Sequence, residues 1–307
     1  MPISTGYRGL LAYGYESSFR SGTVANANKV FGLNQRVGSL RFGENLNTYY
    51  TIGSRVAEGF AYGPFEGSMS VDFYLANPWF FKSLLNRYNV TSEASAYIHT
   101  FEVDNTVPSL VILSGTQDAP VLIKGAVVSS ATISTAVDEV VSVSLDINFA
   151  EAVSLTSAPS QPSETFRPFT FAHGALYRDA TMLGYVQNIE ISMDNAANMV
   201  RSVGSRLATD YFAGLLTIEG RMSIVMTDNS WLLRALENLE NHGPSKIATN
   251  LKLTLNNGEQ TIELDLQDVY LTEESLGLEP GEMVVYELPF RAKNVVVRAI
   301  NNISSMP

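Results

Sequence analysis

From Glu66 to Phe73 the chain alternates, with Gly67, Met69, Val71 and Phe73 on one side and Glu66, Ser68, Ser70 and Asp72 on the other. A period of two sends successive side chains to opposite faces of an extended backbone, so the stretch predicts a half-buried strand. Val141, Val143, Leu145, Ile147 and Phe149 alternate with Ser142, Ser144, Asp146 and Asn148 in the same way, as do Ile262, Leu264 and Leu266 with Thr261, Glu263 and Asp265. Met222, Ile224 and Met226 form the apolar side of a further strand. Leu251 to Leu266 predicts a hairpin whose Asn256-Asn257-Gly258-Glu259 supplies the positive-φ turn residues. At Asn77-Pro78-Trp79 the pattern changes. Asn77 is suited to a helix N-cap and Pro78 to the first helical position, where its missing N–H costs nothing.

These signals occur twice. Glu66-Gly67-Ser68-Met69-Ser70-Val71 recurs as Glu219-Gly220-Arg221-Met222-Ser223-Ile224, and Asn77-Pro78-Trp79-Phe80-Phe81 recurs as Asn229-Ser230-Trp231-Leu232-Leu233. Upstream, Ile52-Gly53-Ser54-Arg55 matches Val203-Gly204-Ser205-Arg206. The spacing of about 150 residues far exceeds the period of solenoid repeats, so each copy is a whole domain. Ser157 to Glu164, rich in Ser and Pro, reads as the linker. The expected organisation is a first domain over residues 1–156 with an N-terminal arm at 1–35, a linker at 157–164 and a second domain over 165–307. The fold class is mainly β with short α: two tandem antiparallel sandwich or barrel domains, each flanked by a helix. Trp79, Phe80 and Leu84, with Trp231, Leu232 and Leu236, are expected to press that helix onto the sheet. Trp79 and Trp231 are its core anchors.

Composition narrows the function. The chain has 45% hydrophobic and 17% charged residues, enough apolar side chains for true cores and few charges for its surface. Its net charge of −11 disfavours tight phosphate binding, though a weakly repulsive passage for DNA stays open. With no cysteine, disulfides, thiolate metal sites and cysteine nucleophiles are excluded. The opening Met1-Pro2-Ile3-Ser4-Thr5-Gly6 lacks the basic start and apolar stretch of a secretory leader, and no apolar run reaches membrane-spanning length. Synthesis and assembly are therefore expected in the cytoplasm.

Catalytic constellations are missing. His99, His173 and His242 have no metal-ligand spacing, and no nucleophile elbow, P-loop or dinucleotide-binding glycine motif appears. Asp138-Glu139 and Glu273-Glu274 read as solvated turns. No cofactor and no enzyme activity are expected.

The Glu-Gly-x-Met-Ser strand followed by Asn-x-Trp and a helix resembles the tail tube proteins of tailed bacteriophages and archaeal viruses. The opening Tyr13-Gly14-Tyr15-Glu16-Ser17-Ser18-Phe19 resembles the start of many of them. The resemblance implies a virion protein that stacks in rings around a DNA channel. With two domains per chain it implies a homotrimer of pseudo-sixfold symmetry. Its other partners would be tape-measure, baseplate or distal tail, terminator or sheath proteins, with DNA passing unbound. Channel-facing candidates are Glu66, Asp72, Asp146, Glu219, Glu263 and Asp265. The segment Gly43 to Gly63 and its twin Asp194 to Gly214 are expected to touch neighbouring rings, through Leu46, Tyr49, Tyr50, Ile52 and Phe60. The N-terminal 35 residues and the tail after Ile300, which show no sheet pattern of their own, are further candidates for reaching neighbours. Another tail component with the tube fold (hub, terminator or tube initiator) and a carbohydrate-binding β-sandwich using the tryptophans are the alternative readings. An enzyme would need a pocket uniting His99, His173 and carboxylates.

Overall fold

A computed structural model of the chain describes residues 9–93, 96–225, 248–271, 275–277 and 285–306. The strands are β1 Gly9–Tyr15, β2 Leu33–Tyr49, β3 Gly59–Tyr74, β4 Asn86–Glu93, β5 Ala96–Val103, β6 Leu110–Thr116, β7 Ala119–Ala136 and β8 Ser142–Ser154. They continue as β9 Gly174–Arg178, β10 Thr181–Leu183, β11 Val186–Asp194, β12 Asn198–Val200, β13 Asp210–Phe212, β14 Thr217–Val225, β15 Thr249–Asn256, β16 Thr261–Leu271, β17 Ser275–Gly277 and β18 Val285–Asn301. All of the pairings are antiparallel. The mainly β expectation is met.

The alternating stretches become strands in the expected phase. Met69, Val71 and Phe73 are buried on β3, as are Val143, Leu145, Ile147 and Phe149 on β8. On β16 the buried set is Ile262, Leu264 and Leu266. The hairpin predicted from Leu251 to Leu266 is β15–β16. Its turn takes positive φ at Gly258, and Asn257 Oδ1 accepts from the backbone of Glu259 and Gln260, both at 3.0 Å.

One strand order serves both halves. In the first it runs β2–β3–β8–β7–β6–β1, and in the second β11–β14–β18–β16–β15–β9. The two halves join where β11 pairs with the C-terminal part of β7, from Asn188↔Ala136 to Asp194↔Ser130. Among the described residues the result is one continuous curled sheet of 16 strands, and its main core cluster draws side chains from both halves. A second bond between the halves is β5 on β18, from Val296↔Glu102 to Asn301↔Tyr97.

The first helix is shorter than its apolar pattern suggests. A 3-10 turn at Trp79–Phe81 runs into one α-turn, α1, at Lys82–Leu85, and Asn86 at φ 64° ends it. Asn77 Oδ1 accepts from Trp79 N–H at 3.1 Å, a side-chain cap, while Pro78 occupies the flanking cap position. Trp79, Phe80, Phe81, Leu84 and Leu85 are all buried. Trp231, Leu232, Leu236, His242 and Glu273-Glu274 lie outside the described residues.

The chain's two ends also differ from their patterning. Gly9–Tyr15, within the stretch taken as an N-terminal arm, is strand β1 paired with β6 of the same chain. Leu10, Leu11, Ala12 and Tyr13 are consecutively buried because the strand is covered on both faces, which erases the period of two. After Ile300, Ile303 and Met306 pack against the chain's own core. The 157–164 segment lies along this body, with Gln161 Nε2 donating to Leu11 O at 3.0 Å.

Candidate functional site

Alternation that buries one face of a strand presents the other, and here six strands present theirs side by side. The outward positions are Ser68, Ser70 and Asp72 on β3, Ser142, Ser144 and Asp146 on β8, and Ser130, Thr132 and Ser134 on β7. They continue as Asn188, Glu190 and Ser192 on β11, Glu219, Arg221 and Ser223 on β14, and Glu287 and Arg291 on β18. A lattice of polar contacts ties this face together. Arg36 Nη2 lies 2.8 Å from Asp72, and Ser144 Oγ donates to the same carboxylate at 2.8 Å. Ser130 donates to Asp146 at 2.9 Å, Thr132 to Ser192 at 3.4 Å, and Ser134 pairs with Ser142 at 2.8 Å. Arg221 meets Glu190 at 2.9 Å and Arg291 meets Glu219 at 2.7 Å. Partial burial alone would raise the Asp72 carboxyl pKa. The hydrogen bonds from Arg36 and Ser144 and the guanidinium charge outweigh it and hold it below the usual carboxylate value.

Four of the six acidic candidates share this face: Asp72, Asp146 and Glu219, with Glu66 in phase farther along β3 opposite Gly43. Glu263 and Asp265 belong elsewhere. They sit on β16 in a patch with Tyr177, Asp179, Asn250 and Lys252, whose ammonium meets Glu263 at 2.8 Å. The arginines Arg36, Arg221 and Arg291 were missed by a search for acidic positions, although each stands at an outward position of the same alternation.

Among the sheet margins left open in the described residues, two correspond to the two sides of the β11–β7 joint. β2 pairs with β3 and with no other strand, so its far edge is bare. β17, which continues the line of β16, pairs with β18 alone. An exposed edge carries unpaired N–H and C=O groups and invites another strand.

Both twin segments are β-hairpins built to one plan. In the first, β2 and β3 run on to Tyr49↔Gly59 beyond the sheet body; in the second, β12 pairs with β13 from Asn198↔Phe212 to Val200↔Asp210. Gly53 has φ 95° and Gly204 φ 91°, a left-handed setting that favours glycine. Ser54 N donates to Thr51 O at 3.2 Å and Ser205 N to Ser202 O at 3.1 Å. The Ser54 hydroxyl donates to Val56 O at 2.8 Å and that of Ser205 to Leu207 O at 2.7 Å. Their settings differ sharply. Leu46, Tyr49, Tyr50, Ile52 and Phe60 of the first hairpin are all more than half exposed. The second folds back on the first half: Ala197, Met199, Tyr211 and Ala213 cluster with Val107 and Val127, and Tyr211 donates to Val107 O at 2.6 Å. Its Arg206 forms an ion pair with Glu44 at 2.5 Å.

The groups that would carry chemistry are engaged in structure. Trp79 is 4% exposed with its ring edge-on to His99, leaving no open face for a sugar. His99 is buried, with Nδ1 2.8 Å from the Tyr88 hydroxyl and Nε2 2.9 Å from Ile303 O, so it fastens the C-terminal tail. Burial lowers its pKa, against the opposing hydrogen bonds to Ile303 and Asn301. His173 sits apart, bonded through Nδ1 to Thr170 N at 3.0 Å. Among the described residues no three His, Asp or Glu side chains gather as a metal would need, and no helix is long and apolar enough to cross a membrane.

A family model described as phage tail tube protein matches residues 6–292, nearly the whole length. No curated protein matches the chain.

Proposed function

The chain belongs to the phage tail tube protein family, structural components of the virion tail, and from that premise we propose that three copies close into a ring by strand addition. In this reading β2 of one copy joins the β16–β17 margin of the next. The rings stack into a tube, and the serine-rich polar face lines its channel. Assembly proceeds in the host cytoplasm before the tail is completed with its other proteins.

The observation that carries the reading is the pairing of β11 with β7 inside one chain. β11 holds in the second half the place that β2 holds in the first, and β17 extends the strand equivalent to β7. The internal joint is thus a template for the missing one. Each closed joint turns two bare margins into ladder hydrogen bonds, and closure in a ring leaves neither the β2 nor the β17 margin over. Two equivalent half-sheets per copy, taken three times, give six positions around an axis, and the recurring strand order supports a tandem duplication as their origin.

The polar face suits a passage for DNA. Its carboxylates repel phosphate, while Arg36, Arg221 and Arg291 are each occupied by a carboxylate of the same wall. Cations held this way are less available to grip a passing strand. Electron microscopy of the concentrated purified protein tests the proposal. Long tubes of threefold or pseudo-sixfold cross-section are expected, and a protein that stays as single rings or monomers at every concentration overturns it.

A further inference from the structure

We propose that the first hairpin, residues 44–63, is a lateral clasp that folds onto the second half of the adjacent copy in the same ring. The inference rests on the self-assembly reading above and assigns the arm a surface within the ring, in place of the ring-to-ring contact expected from sequence.

The second hairpin already shows how such an arm docks. Its body-facing side chains are Ala197, Met199, Tyr211 and Ala213, packed with Val107 and Val127 of the first half. Asn148 Nδ2, on β8, reaches across to Ala197 O at 3.2 Å. At the base, Asn195 N donates to Ser129 O at 2.8 Å, so the docked arm continues directly from the β11–β7 joint.

The two hairpins superpose in hydrogen-bond pattern. Glu58 N donates to Tyr49 O at 3.0 Å as Thr209 N does to Val200 O at 2.9 Å, and Val200↔Asp210 stands where Tyr49↔Gly59 does. This register makes Leu46, Thr48, Phe60 and Tyr62 the counterparts of the four body-facing residues. Leu46, Phe60 and Tyr62 are 54%, 61% and 67% exposed, whereas Ala197 is 5% exposed. The first hairpin therefore presents a docking face of mostly large apolar groups that stays more than half exposed at Leu46, Phe60 and Tyr62, although the Arg206 guanidinium of the same chain lies 5.1 Å over the Tyr62 ring. Burial of these side chains would favour association in proportion to the apolar area removed from water.

The receiving surface follows from the same equivalence. Phe149 lies opposite Gly67 and Phe290 opposite Gly220, so Asn148 and Pro289, one residue before each phenylalanine, hold equivalent places. If β2 of one copy repeats the β11–β7 joint on the next, its hairpin arrives over β18 at Pro289, just as the second hairpin arrives over β8 at Asn148. Joint and clasp form one continuous interface, and the partner is a second copy of this chain.

Because the protein has no cysteine, introduced pairs report contact cleanly. The internal control is Asn148→Cys with Ala197→Cys, which should oxidise within single chains. The test is Leu46→Cys with Pro289→Cys. Assembled and mildly oxidised, it is expected to give covalent species on a non-reducing gel that stop at three chains. Tubes whose chains remain uncrosslinked, or a ladder running past three through ring-to-ring links, overturn the clasp while leaving the tube reading intact. A chain that never assembles by light scattering overturns both.

Discussion

The ring of Phe149 occupies the space in which a Cβ on Gly67 would stand, and the ring of Phe290 does the same over Gly220. Each pair is directly opposed across two antiparallel strands. The glycine of the repeated Glu-Gly-x-Met-Ser motif is thus a site of close approach, kept empty so that an aromatic ring on the next strand can lie against the backbone.

Gly67→Ala and Gly220→Ala should each force a ring aside, at the ~1–3 kcal/mol typical of overpacking a well-filled core. Thermal or denaturant unfolding would register the loss. Pairing Gly67→Ala with Phe149→Leu should recover part of it, and equal destabilisation with and without the smaller partner would show that the ring is not the obstacle.

Asn77 joins three segments that are distant in sequence. Its Oδ1 caps the turn at Trp79, and its Nδ2 donates to Val30 O at 3.3 Å and to the Glu164 carboxylate. Asn77→Ala leaves a partly buried carboxylate contact and a helix start unsatisfied, a loss of about 2 kcal/mol. Asn77→Asp should be the worse of the two, because it sets a second carboxylate against Glu164. Urea midpoints for the two variants check the order; an aspartate variant as stable as wild type would contradict it.

The strands themselves were legible because a half-buried sheet writes its period into the residues, as Val141 to Phe149 shows. Pairing across the molecule was not. Nothing local in Asn188–Asp194 says that its partner is Ser130–Ala136, since any strand of matching polarity satisfies the same alternation. Gly43 to Gly63 reads as a connection because glycines and asparagines interrupt its apolar residues, yet it is mostly strand, ending in a tight turn at Gly53. The polar wall was half visible. Its carboxylates stand out in sequence, while their neutralisation by Arg36, Arg221 and Arg291 depends on which strands become neighbours.

His99 makes the tail's attachment sensitive to acid. Burial holds its pKa below the ordinary 6.5, so on acidification the unfolded chain takes up the proton first. Its contribution is complete above about pH 6.5 and drains away as the pH falls below that value towards the folded-state pKa. Wild-type protein should lose stability through this window, and His99→Gln should flatten the dependence there while lowering stability at neutral pH. A variant whose unfolding profile tracks wild type as the pH falls below about 6.5 would assign the acid response to other groups.

If the polar face lines a DNA channel as proposed, its charge governs passage, and Asp146 and Glu287 test it with least structural disturbance. Both are exposed, and Asp146 is bound by the Ser130 hydroxyl. They occupy matching places in the two halves, Asp146 opposite Ser130 and Glu287 opposite Ser275. Asp146→Lys with Glu287→Lys moves each copy by four charges towards positive, and the proposed ring would repeat that change around its channel. Each phosphate neutralised by a lysine releases condensed counterions, so binding should appear at low salt and fall steeply as salt rises, by about one power of the salt concentration per contact. Tubes of the double variant are expected to form normally and to retain labelled duplex in sedimentation at low ionic strength, while wild-type tubes leave it in solution. Particles carrying the variant should release their genome more slowly. Variant tubes that ignore DNA as completely as wild type would place these two positions away from the channel.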